Sequence, residues 1–234
     1  MNCIKRNFPN AITCVNVLAG TAAIMAMLHS DASLWGLGAL QWAWILVGVA
    51  AVADFLDGFA ARALGAYSAL GKELDSLCDL VSFGVAPAVM VHQCVLTYGG
   101  EAWVAWVAPL IAVAGALRLA RFNTAPENNR VFTGLPIPAN AIFWIGFTAW
   151  YSDLGMMPGW ITLGAIVIVS WLMISPLRLF TLKFTSRKAA ANWPKGAIAV
   201  LAVVLCVCLG LAGLMWTVIC YLCLSAAMQP KLRD

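Results

Sequence analysis

Four aspartates, Asp54, Asp57, Asp75 and Asp79, stand within 26 residues of sequence that otherwise reads as membrane-spanning helix. Asp54 and Asp57 are i, i+3 partners, about 60° apart on a helix and therefore on one face. Asp75 and Asp79 are i, i+4 partners, again on one face. The stretch between the pairs is short and holds Gly65 and Gly71, so the chain can turn tightly and bring all four carboxylates together. Converging carboxylates repel and resist ionisation unless something neutralises them. Arg62 and Lys72 supply two positive charges against four negative ones. Divalent cations do this better, and an all-oxygen donor set selects Mg²⁺, Mn²⁺ or Ca²⁺ over zinc. Two metals held by carboxylates suit a reaction at phosphate oxygens.

The elements that must position these residues are membrane helices. The chain has 234 residues, 63% hydrophobic and 10% charged, whereas a soluble domain is roughly 45–50% apolar and about 25% charged. Apolar runs fall at 11–29, 35–63, 72–98, 101–122, 135–153 and 158–181, each near the ~20 residues a span needs. The first run continues past its basic flank with no small-residue cleavage site and is expected to remain as a span. The block 195–228 is too long for one span and carries Gly210-Leu211-Ala212-Gly213 near its middle, which predicts a hairpin. With the spans so drawn, Arg62, Lys72, Arg118, Arg121, Arg130 and the basic connection Thr185–Pro194 share one side, while Asp31, Glu101 and Asp153 lie on the other. The positive-inside rule makes the basic side cytoplasmic. Lys231 and Arg233 join it only if 195–228 crosses twice, so eight spans with both termini cytoplasmic are expected. The net charge of +4, confined to one face, suits an anionic leaflet and not nucleic acid. Residues 1–234 read as a single membrane domain.

Other residues are weaker signals. Seven of the eight cysteines lie in apolar segments, where thiols behave as small hydrophobes, and Cys220-Tyr-Leu-Cys223 lacks a nearby His or charge. Gly58, Ala60 and Ala61 make a smooth helix surface, open to two readings: a groove for a ligand, or close helix packing. Arg118 and Arg121 are i, i+3 partners at a cytoplasmic helix end, where they either clamp an anion or snorkel to lipid phosphates. Asn10, Thr13 and Asn16 recur along one side of the first span, as caps or interhelical bridges.

The spacing D-x2-D-G-x2-A-R-x8-G-x3-D-x3-D, filled by Asp54, Asp57, Gly58, Ala61, Arg62, Gly71, Asp75 and Asp79, resembles the signature of the CDP-alcohol phosphatidyltransferases at every position. The resemblance implies a fold and a chemistry. The fold is an all-α integral membrane protein with a six-helix core, to which 195–228 adds a C-terminal hairpin. The chemistry is attack of an alcohol on the lipid-linked phosphorus of a CDP-lipid, releasing CMP. It implies that Asp54, Asp57 and Asp75 hold one divalent ion, Mg²⁺ or Mn²⁺. Asp79 completes a second site and acts as general base. Gly58, Ala61, Arg62 and Gly71, with Asn10, Thr13 and Asn16, would face the CDP pocket. A homodimer is also implied.

Beyond the signature, the segments FPNAITCVN at 8–16, LDSLCDLVSFGVAPA at 74–88, RLARFN at 118–123 and GLPIPAN at 134–140 resemble the serine-using branch of that family, with Cys78 and Asn140 where alanine is more usual. That likeness implies CDP-diacylglycerol and L-serine as substrates, among membrane lipids. Arg118, Arg121 and Asn123 would meet the serine carboxylate or a phosphate. Charge alone leaves glycerol 3-phosphate and inositol phosphate open as acceptors. A transporter is the rival class, since intramembrane carboxylates also mark ion pathways, but these acids cluster at one interface and no internal repeat stands out. For a prokaryotic source the expected location is the cytoplasmic membrane, with the site on its cytoplasmic side.

Overall fold

A computed structural model of the chain describes residues 3–29, 33–124, 134–177 and 189–228. Within them the fold is helical. Helix α1 (Cys3–Leu28) is joined to α2 (Ala39–Leu64) by a ladder of two-residue strands, β1 (Ser33–Leu34) and β2 (Leu37–Gly38). The ladder is absent from the sequence reading, which begins the second helix at 35. Trp35 and Gly36 both take positive φ, 53° and 78°, as a two-residue hairpin turn requires. The chain then enters α2 through Gly38, whose N–H donates to Gln41 Oε1 at 2.9 Å. Helices α1 and α2 lie along one another with Ala19, Ala23, Ala43, Val47 and Ala50 buried between the packed elements. Small side chains permit that close approach in a membrane helix pair.

The third apolar run is one long helical rod with a defect. Helix α3 (Ala69–Leu80) passes into a π turn over Val81–Val85 and continues as α4 (Ala86–Thr97). Pro87 explains the defect. It has no N–H to give the carbonyl of Phe83, four residues earlier, and its ring would collide with that carbonyl in an α-helix. The chain widens instead, with the Ala86 N–H reaching Val81 O, and the Asn140 side-chain amide donates to Phe83 O at 2.8 Å.

A short turn α5 (Ala102–Ala105) precedes α6 (Pro109–Thr124), so the fourth run is broken near its start. Helices α7 (Ile137–Leu154) and α8 (Gly159–Ile174) follow. Gly134 and Leu135, just before α7, donate backbone N–H groups to Leu177 O and Leu172 O at the end of α8. The block 195–228 divides at Gly210 into the end of α9 (Ala189–Leu209) and α10 (Ala212–Met228). A methyl at Gly213 would overlap the Leu205 backbone and one at Gly146 the Met215 backbone, so α10 lies tight against both α9 and α7. Helix α9 begins at Ala189, inside the connection expected at Thr185–Pro194, where Ala189-Ala190-Ala191 are strong helix formers; residues 185–188 of that connection lie outside the described residues. Arg130, Lys231 and Arg233 lie outside the described residues.

Four helical stretches among the described residues are long and apolar enough to cross a membrane: Asn7–Leu28, Ala39–Leu64, Ala69–Thr97 and Ala102–Thr124. Gly159–Ile174, Gly196–Leu209 and Ala212–Ala227 are shorter apolar helices.

Candidate active site

The last turns of α2 carry Asp54 and Asp57, while α3 carries Asp75 at its middle and Asp79 in its last turn, just before the π turn. Gly65 ends α2 in the left-handed region at φ 60°, a conformation glycine adopts without steric penalty. Ser68 caps α3, its Oγ accepting from Gly71 N–H at 2.9 Å. The connection is thus only a few residues long, and the two carboxylate pairs meet across it. Asp54, Asp57 and Asp75 each place an oxygen within 4.8 Å of the others. Asp79 adjoins Asp54 and is itself buried.

Three anions this close repel by about 3.5 kcal/mol per pair at an effective dielectric near 20. Asp57 Oδ2 is buried with no hydrogen-bond partner among the described residues. An orphaned carboxylate oxygen inside an all-oxygen cluster fits a hard divalent cation. The donor set therefore accommodates the ion that the signature implies.

Beside the cluster opens a cavity of about 210 Å³. Asn10, Thr13, Asp57, Gly58, Ala61, Arg62, Gly71 and Asp75 all line it, bringing eight of the sequence-derived residues to one wall-to-wall space. The Gly58 face is open: an added Cβ would meet only the Arg62 guanidinium, at 3.4 Å. Among the described residues no neighbouring helix presses on Gly58, which favours the ligand-groove reading for this glycine. Gly71 is tighter, with Asn10 Oδ1 2.9 Å from where a Cβ would sit. Tyr67, Ser68 and Lys72 also line the cavity. The sequence reading missed them as pocket residues, although their place in the short α2–α3 connection signals it.

The remaining candidates divide. Arg118 lies in the field of Asp79 and keeps its Nε buried without a partner among the described residues. Arg121 turns away, donating from Nη1 to Ile174 O at 2.8 Å, where it satisfies a carbonyl at the C-terminus of α8. Asn123 Nδ2 donates to Ser76 Oγ at 2.8 Å, and its carbonyl accepts from Lys72 Nζ at 3.3 Å, tying α6 to α3 next to Asp75. Asn16 does not line the cavity; it is fully buried and donates to Asp79 Oδ1 at 3.1 Å.

Fold and site together define an all-helical membrane protein with a carboxylate cluster fit for a divalent cation and an adjoining pocket that presents Arg62 and Lys72. The family model for CDP-alcohol phosphatidyltransferase matches residues 6–172. The chain belongs to the CDP-alcohol phosphatidyltransferase family. It is similar to the CDP-diacylglycerol–serine O-phosphatidyltransferase of Mycobacterium leprae, 35% identical over 92% of this chain and 72% of that protein. The Bacillus subtilis protein of the same name is 30% identical over 80% of this chain and 96% of the relative. An archaetidylserine synthase from Methanothermobacter thermautotrophicus is 35% identical over 72% and 67% of the two chains.

Proposed function

We infer that this chain transfers the phosphatidyl group of CDP-diacylglycerol to the hydroxyl of L-serine, giving phosphatidylserine and CMP. The observation that carries the reading is the meeting of Asp54, Asp57 and Asp75 beside a pocket that Asp57 and Asp75 line together with Gly58, Ala61, Arg62 and Gly71. Relatives named for serine transfer match along most of the chain and so support the choice of acceptor.

Each residue has a part in that reaction. Arg62 and Lys72 bring positive charge to the pyrophosphate, and the Arg62 fork suits phosphate oxygens. The bare surface of Gly58 and Ala61 lets the nucleotide lie against α2. Asp54, Asp57 and Asp75 hold one divalent ion, Mg²⁺ or Mn²⁺, and Asp79 contributes to a second. Such ions, when bound, neutralise the pyrophosphate and the leaving CMP. Asp79 takes the proton of the serine hydroxyl as it attacks the lipid-bearing phosphorus. Arg118, with an unsatisfied Nε beside Asp79, receives the serine carboxylate, and Asn123 borders that place.

The reading extends to the membrane. We assign a six-helix core with the α9–α10 hairpin as a seventh and eighth span, in one membrane domain over 1–234, with the signature at 54–79 and both termini cytoplasmic. Exposed Trp35, Trp103, Trp106 and Trp160 lie in or beside the α1–α2, α4–α6 and α7–α8 turns, at the helix ends opposite the carboxylates. Tryptophan favours membrane–water interfaces, which supports that end as a membrane boundary. The family resemblance supports a homodimer in the cytoplasmic membrane. CMP release by purified protein with CDP-diacylglycerol and Mn²⁺ or Mg²⁺ tests the function, comparing L-serine, glycerol 3-phosphate and inositol phosphate. Turnover with serine alone is expected and should vanish in Asp79→Asn. Preference for a phosphorylated acceptor would overturn the choice of serine.

A further inference from the structure

Asn16 has no assigned part in the chemistry, yet its environment is built around one of the carboxylates. It is fully buried on α1, outside the cavity. Its Nδ2 donates to Asp79 Oδ1 at 3.1 Å, while its own Oδ1 is buried without a partner among the described residues. An amide that leaves its oxygen unpaired in the interior is held there by what its nitrogen does. The backbone at the same position is fixed too. Ser82 Oγ, in the π turn, donates to Asn16 O at 3.0 Å. Gly20, one turn along α1, makes this approach possible, since a methyl there would overlap the Ser82 hydroxyl. Asn16 and Asp79 are therefore set against one another by α1 and the π turn together.

We propose that Asn16 is a positioning residue that ties one oxygen of Asp79, so that the other is held out beside Asp54 for the acceptor hydroxyl. The inference rests on Asp79 as the base. The terminal torsion of an aspartate is broad and two-fold, so an untethered carboxylate would present its oxygens in many directions. Tethering matters because small misplacements of reacting groups cost heavily in rate.

The test uses the full chain in detergent, with CMP release and Mn²⁺ binding as separate readouts. Asn16→Leu keeps the branched shape, at a larger volume, and removes the donor. Its kcat should fall by about 30- to 100-fold, with the KM for CDP-diacylglycerol within about threefold. Asn16→Asp should fall further, because carboxylate would face carboxylate. Thr21→Val removes a side-chain hydrogen bond of the same helix, from Thr21 Oγ1 to Val17 O, without touching Asp79 or the π turn, and should stay within about threefold of wild type; equal losses in Thr21→Val and Asn16→Leu would overturn the proposal. Adding Asn16→Leu to Asp79→Ala should leave Mn²⁺ affinity where Asp79→Ala alone sets it, and a further loss of affinity would overturn the proposal. Wild-type turnover in Asp79→Ala would overturn the base assignment itself. Loss of turnover there with wild-type kcat in Asn16→Leu would overturn Asn16 alone.

Discussion

Replacing Gly58 by alanine should make the protein more stable and its reaction worse. Gly58 lies inside α2, where a glycine costs roughly 0.5–1 kcal/mol relative to alanine. The added methyl would meet nothing but the tip of Arg62, at 3.4 Å for Nη1 and 4.0 Å for Nη2. No packing is lost, so the gain should survive as a rise of about 2–4 °C in Tm per kcal/mol for a chain of this size. The same methyl projects into the cavity between Asp57, Arg62 and Gly71. Crowding a fitted site costs about 1–3 kcal/mol, which is about a 5- to 150-fold rise in the KM for CDP-diacylglycerol. The KM for serine should change by less than about threefold. Thermal unfolding in detergent and CMP release at varied CDP-diacylglycerol measure the two effects. Gly146→Ala supplies the contrast, because its methyl would overlap the Met215 backbone; it should lower Tm and leave the KM alone. A lower Tm with an unchanged KM in Gly58→Ala would refute the pocket argument and restore the helix-packing one.

Three further outcomes follow from the same geometry. Asp57→Asn removes one of three converging anions and the orphaned Oδ2, so Mn²⁺ affinity should fall by more than about tenfold; isothermal titration with unchanged affinity would exclude Asp57 as a ligand. Arg118→Ala should raise the KM for serine by about tenfold or more with little change for CDP-diacylglycerol, as expected for loss of a charged contact of about 1.5–3 kcal/mol. Asn140→Ala strips the Phe83 carbonyl of the donor that stands in for the missing Pro87 N–H, at a cost of about 1–3 kcal/mol. A lower Tm is expected there, and an unchanged one would show that the π turn satisfies itself.

The carboxylate site was legible from sequence because everything it needs is local. Asp54, Asp57, Asp75 and Asp79 are placed by helical periodicity and one short connection, so spacing along 26 residues stands in for distance. The groove on α2 was only half legible. Whether Gly58 faces a ligand or a neighbouring helix depends on what lies across from it, and that is fixed by α1, some forty residues earlier. Arg118 and Arg121 show the same limit on one helix. They are one turn apart and read alike, yet Arg118 lies in the field of Asp79 while Arg121 caps α8, a helix that begins nearly forty residues later in the chain.

The π turn marks where local reading fails for a physical reason. Pro87 is visible in the sequence, and a proline inside a helix predicts an unpaired carbonyl four residues back. What the chain does with Phe83 O is not visible, because its partner Asn140 is 57 positions away, beyond the break into α7. Trp144 Nε1 in turn donates to Asn140 Oδ1 at 2.8 Å, so both ends of the amide are engaged inside an otherwise apolar core. Unpaired, that carbonyl would be a liability; paired, it locks the helix defect in place directly after Asp79. The defect and the carboxylate beside it are thus held from two sides, by α7 through Phe83 and by α1 through Ser82 and Asn16. In a membrane, where water cannot repair a broken turn, a kink so close to the chemistry must be satisfied by side chains, and those side chains then fix where the chemistry points.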